Sequence, residues 1–234
     1  MANDNATALP ANGYDAGVRR VIPFYDAIQT ETLDLVRSVV GEPILWVDTG
    51  SGTGALVERA LPIFSRTRFV LADPSEAMLT QAKSRFANQP PERVTILPPT
   101  PSEGLPALKP RLQAQVVTAM LCHHYHDSVG RMAAVRGCFE ILAPGGVLIV
   151  FENVDCDSAR GREIGLCRWQ EFQLRQGRTP ADAKTHLARF GTELKPIRIA
   201  EHLTLFQSVG FLTAELFWRA QMQAGFYAVK PTCG

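Results

Sequence analysis

The sequence predicts an α/β fold: a doubly wound, mostly parallel sheet with a C-terminal antiparallel hairpin and a helical insert. Three observations predict it. Short apolar runs at Ile44–Val47, Phe69–Ala72, Val94–Leu97, Val116–Leu121 and Val147–Phe151 alternate with amphipathic stretches at about 53–62, 75–87 and 129–142. A glycine-rich turn joins the first run to the first of those stretches. Two β-like runs, Leu212–Trp218 and Phe226–Val229, close the chain, and Gln221–Gly225 between them suits a hairpin. Near-continuous apolarity fits strands buried on both faces, and strand–helix alternation implies right-handed parallel crossovers.

Taken in order, residues 1–17 read as loosely ordered. A helix follows at about 24–40, with Ile28, Leu35, Val36, Val39 and Val40 at helical spacing. The stretch 156–208 is helical in pattern, more polar, and holds no plausible buried strand. One continuous domain therefore divides into an N-terminal segment with a capping helix (1–40), an α/β core (41–155 and 209–234) and a helical insert or lid (156–208). A chain of 234 residues is long enough to bury such a core.

Composition narrows the function. Lys and Arg total 24 against 23 Asp and Glu, giving a net charge of +1. That balance lacks the basic surplus of a nucleic-acid binder. The odd set of five cysteines, Cys122, Cys138, Cys156, Cys167 and Cys233, has no C-x-x-C pair and reads as free thiols. The first residues carry no apolar signal segment, and no run is long enough to span a bilayer. The expectation is a cytoplasmic protein acting on a small molecule, with no membrane partner, nucleic acid disfavoured and a homodimer conceivable.

The most informative stretch runs from Ile44 to Leu56 and places Asp48, Gly50, Ser51, Gly52 and Gly54 between strand and helix. Glycine allows a sharp turn and close approach of a ligand to the backbone, and the next helix presents free N–H groups. In open α/β sheets ligands bind at the carboxyl ends of strands. The spacing is G-x-G-x-G, which differs from the G-x-G-x-x-G of dinucleotide sites. Asp48 would repel a pyrophosphate but suits the ammonium and sulfonium of S-adenosylmethionine (SAM). A tight strand–helix turn without a ligand is the plainer alternative. Asp73, at the end of the second strand in Val70-Leu-Ala-Asp-Pro-Ser-Glu76, can hold ribose hydroxyls. It also fits as a helix N-cap, with Pro74 at the first helical position and Glu76 at the third.

These residues resemble a known family. Val47-Asp-Thr-Gly-Ser-Gly-Thr-Gly54 is similar to motif I of the class I SAM-dependent methyltransferases, and Leu71-Ala-Asp-Pro-Ser-Glu-Ala-Met78 to their second motif. Val116–Leu121 resembles their fourth strand, and Leu142–Leu148 their turn into the fifth. The resemblance covers roughly 40–155 and 210–230 and implies a Rossmann-like methyltransferase fold with SAM as cofactor. It implies that Asp48 and the glycine loop line the methionine end, that Asp73 takes the ribose and that Met78 packs on the adenine. Pro74 stands beside them. Thr100 stands where many members place an adenine-binding acid, and Ala119, Met120 and Leu121 would face the transferable methyl. The flanks, Tyr14–Tyr25 and the insert to Gly210-Phe-Leu212, are similar to those of carboxy-SAM synthase of tRNA wobble-uridine modification, which carboxylates SAM's methyl with prephenate. A tRNA pathway therefore stays open. Arg189 lies near that family's carboxylate-binding arginine. The ordinary glycine loop here implies shared architecture with a different reaction; a synthase-like reaction and a non-catalytic SAM-binding role are the alternatives.

Methyl transfer from a sulfonium needs positioning above all, and a base only for a protonated nucleophile. Cys122-His-His-Tyr-His-Asp127 leaves the fourth strand and holds three of the chain's five histidines. His123 or His124 can act as general base, since imidazole titrates near neutrality. Packing of one ring with the others solvated is the alternative. No metal is expected, although Cys122, His124 and His126 offer ligand chemistry. Glu152, a candidate for catalysis, and Asn153, one for substrate contact, end the fifth strand. Tyr14, Tyr25, Arg168, Trp169 and Arg189 complete the candidate substrate set, with core packing the alternative for the aromatic ones.

Overall fold

The computed structural model describes residues 7–108 and 112–232. Cys233 and the first six residues of the segment read as loosely ordered lie outside the described residues. Seven strands, β1 (Leu45–Thr49), β2 (Arg68–Ala72), β3 (Val94–Ile96), β4 (Ala114–Met120), β5 (Leu142–Asn153), β6 (Thr213–Ala220) and β7 (Gln223–Val229), form one sheet in the order β3-β2-β1-β4-β5-β7-β6. The pairs from β3 to β5 are parallel, while β7 is antiparallel to both neighbours. Strand order reverses between β1 and β4, which opens a crevice at their carboxyl ends, where ligands bind on such sheets.

The strands alternate their side chains between two cores. Trp46, Phe69, Leu71, Val116, Val147 and Ile149 face α2 (Tyr25–Val39), α3 (Ala55–Ala60) and α4 (Glu76–Arg85). Val47, Val70, Val117, Leu148 and Val150 face α5 (Ser128–Ile141) and α8 (Ile199–Val209). Helix starts follow the sequence closely. The side chains of Ser75, Asp127, Ser158 and Thr179 accept N–H groups at the heads of α4, α5, α6 (Ala159–Arg175) and α7 (Pro180–Ala188).

Four details depart from expectation. Residues 14–19, partly read as loose, form α1 (Tyr14–Arg19), whose Val18 is buried. Asp73 is not the cap of α4; Ser75 is, and Glu76 is the first helical residue. The carboxylate of Asp73 instead accepts the Ser75 N–H. β5 starts at Leu142, which pairs with Ala114 before the register shifts. The hairpin turn is shorter than Gln221–Gly225, because Gln223 and Gly225 already belong to β7. Its second turn residue, Met222, is fully buried beneath α6, where a Cβ on Gly165 would stand 2.2 Å from the Met222 sulfur.

A third apolar cluster lies over the carboxyl ends of the strands. It joins Val18, Val21, Ile22 and Ile28 of the N-terminal segment to Trp169 of α6, Leu194, Met222 and Phe151. Trp169 is fully buried and its indole N–H donates to the Val21 carbonyl at 2.6 Å. That bond ties α6 to the N-terminal segment. Helix α8, by contrast, packs on α5 and β6 and contributes Phe206 to the sheet core. Trp169→Ala removes the cluster's largest side chain and the Val21 bond together, so chemical denaturation should show a loss of about 3–5 kcal/mol.

Candidate functional site

The site begins with the turn after β1. Gly50, Gly52 and Gly54 all have positive φ, and Gly54 caps α3. A Cβ at Gly50 would meet the Cys122 sulfur at 2.6 Å, whereas one at Gly52 finds only the Met78 sulfur, at 4.0 Å. The first glycine is thus required by packing against the β4 loop, and the second leaves its space to the cleft. Asp73 fixes this turn: one oxygen accepts the Gly52 N–H and the other the Ser75 N–H, each at 2.8 Å. The cleft beyond is a cavity of about 150 Å³ bordered by Gly50, Gly52, Asp73, Pro74, Met78 and Cys122, among others.

Its inner continuation reaches Asp48, Ser51, Gly52, Tyr14 and Tyr25. Asp48 is buried and accepts a hydrogen bond from the Thr118 hydroxyl at 2.5 Å; that hydroxyl in turn accepts the Trp46 indole N–H. Burial pushes the Asp48 carboxyl up to about 7, against the Thr118 bond that lowers it. A buried carboxyl poised to ionise is suited to meeting a cation.

The loop after β4 carries the second half of the site. Glu152 is fully buried at the end of β5. Its two oxygens accept the backbone N–H groups of His123 and His124 at 2.9 and 3.0 Å, and one lies 2.5 Å from His124 Nδ1. Burial works to raise its pKa; the His124 charge and hydrogen bond, with His123 behind them, outweigh that and hold it down at about 2. On the other side of the ring, Asn153 Nδ2 lies 3.3 Å from His124 Nε2, and Asn153 Oδ1 accepts from Gln223. The amide therefore offers its N–H to Nε2, which fixes the neutral ring as the Nδ1–H tautomer with Nε2 the basic nitrogen.

His124, Asn153, Tyr125, His186 and Arg189 border a third, small cavity of about 30 Å³, with Tyr14 and Leu121 on its wall. Leu121 and Tyr14 also border the other two compartments. Leu121 has a φ of 58°, uncommon for a branched side chain, held by its N–H bonding to the Phe151 carbonyl at 2.6 Å. The Arg189 guanidinium lies 6.0 Å from the Tyr125 ring centre and bonds to Glu193 at 2.7 Å.

Several expected site residues fall elsewhere. His123 does not border the cleft: its Nε2 shares a hydrogen with Ser102, which bonds on to Thr49, and burial pushes its pKa down to about 4. Thr100 also lies off the cleft, its hydroxyl on Pro98 and its N–H on the Asp73 carbonyl. Ala119 is wholly enclosed in the sheet core and Gly54 packs on Phe86, whereas Met120 borders the cleft. Arg168 is exposed on the outside of α6 and Trp169 is core. Cys122, His124 and His126 do not converge. Cys122, His123 and Glu152 instead bring one donor atom each within 4.8 Å of one another. Burial and the Glu152 charge keep that thiol protonated, and it donates to the Thr49 carbonyl. His186 was missed, having no local pattern to mark it; Tyr125 and His126 lie in the marked Cys122–Asp127 stretch and border the cleft, Tyr125 the third cavity as well.

Comparisons with known proteins agree with this architecture. Residues 47–148 match the family model of a methyltransferase domain. Carboxy-S-adenosyl-L-methionine synthase of Staphylococcus epidermidis is 22% identical over 220 residues, covering 94% of this chain and 93% of that protein. The synthase of Methylococcus capsulatus is 23% identical over 225 residues, covering 94% and 90%. An O-methyltransferase family protein from Burkholderia thailandensis superposes with a TM-score of 0.63 at 14% identity, over 89% of this chain and 59% of that one. The chain thus spans less than two thirds of that structure. The N-methyltransferase NodS from Bradyrhizobium japonicum, solved with S-adenosyl-L-homocysteine, gives 0.61 at 14% identity over 94% and 99%. The fold is that of the class I methyltransferases. Among the described residues no helix is long and apolar enough to cross a membrane.

The Glu152 carboxylate supplies a stability test. Its pKa falls from 4.5 to about 2 on folding, so its contribution is complete above about pH 4.5 and is lost as pH drops toward 2. Glu152→Gln should lower stability at pH 7 by about 3–5 kcal/mol. Urea denaturation between pH 3 and 7 should also show a flatter acid limb than in the parent chain.

Proposed function

We propose that this class I methyltransferase fold transfers the methyl group of SAM to a small-molecule acceptor. The observation that carries the reading is that Tyr14 and Leu121 line three neighbouring compartments: a glycine-turn cleft, a pocket that reaches Asp48, and a chamber that reaches His124. In this reading the adenosine lies between Asp73, Pro74 and Met78. The methionine ammonium meets Asp48, with Tyr14 and Tyr25 closing the pocket. The sulfonium then faces Met120 and Leu121, and the methyl points into the chamber.

His124 is the general base. Glu152 holds its Nδ1–H, orients the ring and stabilises the imidazolium that forms as Nε2 takes the acceptor's proton. An acceptor O–H or N–H displaces the weak Asn153 contact at 3.3 Å. The lone pair freed by that transfer attacks the methyl carbon as the C–S bond breaks, leaving S-adenosylhomocysteine. Positioning supplies about 7–11 kcal/mol of the barrier reduction.

A second reading, a carboxy-SAM synthase-like reaction using prephenate, is favoured by the near full-length match to two such synthases and by the buried Arg189 in the chamber. Mass spectrometry of small molecules released from the purified protein on denaturation separates the two. SAM or S-adenosylhomocysteine is the expected result; carboxy-SAM would replace the methyl-transfer reading with the synthase one, and a nicotinamide dinucleotide would sink the cofactor assignment.

Asp48 adds a pH signature. Its carboxyl ionises near 7 when the pocket is empty, and an ammonium ligand needs the carboxylate. Below that pH, binding must first remove a proton. The affinity for S-adenosylhomocysteine should therefore weaken up to about tenfold per pH unit below 7 and level off above it. Calorimetric titrations of Asp48→Asn should show weaker binding at pH 8 and no such slope.

A further inference from the structure

The imidazole of His186 has a position that neither the fold nor the proposed chemistry explains. It projects from α7, is nine-tenths buried, and packs edge-on against Trp169 with ring centres 5.3 Å apart. Neither ring nitrogen has a hydrogen-bond partner. His123 leaves one buried ring nitrogen unmatched, its Nε2 being bonded to Ser102, and neither His123 nor His202 borders a cavity described above. His186 borders the chamber that also holds His124 and Arg189. A buried polar group left without a partner is costly, and native proteins rarely tolerate one unless something else fills the role.

The ring's charge state is set by its surroundings. Burial, then the cations Arg178 and Arg189 and the nearby His124, push its pKa down to about 4. It is therefore neutral, with one nitrogen donating and the other accepting. A hydroxyl can meet either of these nitrogens, donating to the one that accepts or accepting from the one that donates. The rest of the chamber wall is mixed: Leu9, Val18, Val21, Ile22, Leu121 and Leu194 are aliphatic, while Thr7, Tyr14, Tyr125 and Asn153 add polar atoms. His186 borders neither compartment assigned to the cofactor, so whatever it binds lies on the acceptor.

We propose that His186 is a specificity-determining residue that hydrogen-bonds a hydroxyl group on the acceptor. The inference rests on the reading of the chamber as the acceptor site. The hydroxyl contributes to recognition when a second group reacts at His124. A hydroxyl that leaves His186 unmatched, or an analogue without one, binds less well because the buried imidazole stays unpaired.

Phenol and toluene are suitable probes, being nearly isosteric and differing by the hydroxyl. The full chain is first titrated with S-adenosylhomocysteine, then the loaded protein is titrated with each probe by calorimetry and by NMR of histidine-labelled protein. Phenol should bind at least tenfold more tightly than toluene and shift the His186 ring resonances. His186→Leu should bring the two probes to parity, and His186→Gln, which retains a donor and an acceptor, should keep a preference for phenol. Failure to bind S-adenosylhomocysteine would overturn the cofactor reading beneath the proposal. With that ligand bound, parity in the parent chain, or saturable binding of neither probe, would overturn the His186 subsite alone. The comparison within the parent chain stands even if a variant fails to fold.

Discussion

A single buried carboxylate organises the reactive end of this molecule. Glu152 closes β5 inside the protein, where an isolated charge would be prohibitive. It is tolerated because the adjacent loop after β4 turns two backbone N–H groups and one imidazole N–H onto it. The loop in turn has no regular sheet or long helix to define its path; Glu152 defines it. From that path follow the inward aim of His124, the outward turn of His123 toward Ser102, and the tight left-handed conformation of Leu121 that sets the compartment walls. The helical segment 156–208 inherits the same reference point, because the Lys195 N–H donates to the His124 carbonyl at 2.7 Å and Arg131 spans His126 and Lys195.

The opposite wall is built from the N-terminal segment. Asp15 of α1 bonds to the Thr53 hydroxyl at 2.6 Å and pairs with Arg85, so α1 is clasped across the glycine turn to α3 and α4. Trp169 then anchors that segment to α6. Neither wall is part of the sheet, yet each is fastened to it at a strand end or a helix head. The cofactor cleft and the chamber are consequently framed by rigid β-strand termini and roofed by elements that can be remodelled without disturbing the two sheet cores.

Much of this was legible in the sequence. The strands, the glycine turn and Asp48 are written in local patterns: apolar runs of buried strands, and glycine where the backbone needs positive φ. The site was legible only where one residue type has one plausible use. Adjacent His123 and His124 could not be separated, since in a one-turn 3₁₀ segment neighbouring side chains diverge widely, and the choice of which faces the chamber is made by Ser102 and Glu152, both distant in sequence. Trp169 and Arg168 show the same limit: they are adjacent on α6, yet one is core and the other is exposed. Asp73 and Ser75 compete for the same capping role two residues apart, and the glycine turn, which takes one Asp73 oxygen, resolves the competition.

Tyr14 has a consequence that reaches beyond any one pocket. It lines all three compartments, and it belongs to a segment fastened by the Asp15–Arg85 pair, the Thr53 hydroxyl, the Trp169 indole and the bonds from Arg20 to the Gln176 and Gly177 carbonyls. A ligand in one compartment and a ligand in the next would touch the same residue, so any ordering of Tyr14 by the first would be met once and shared. The two sites are then linked thermodynamically: whatever factor the first ligand lends to the affinity of the second, the second returns to the first.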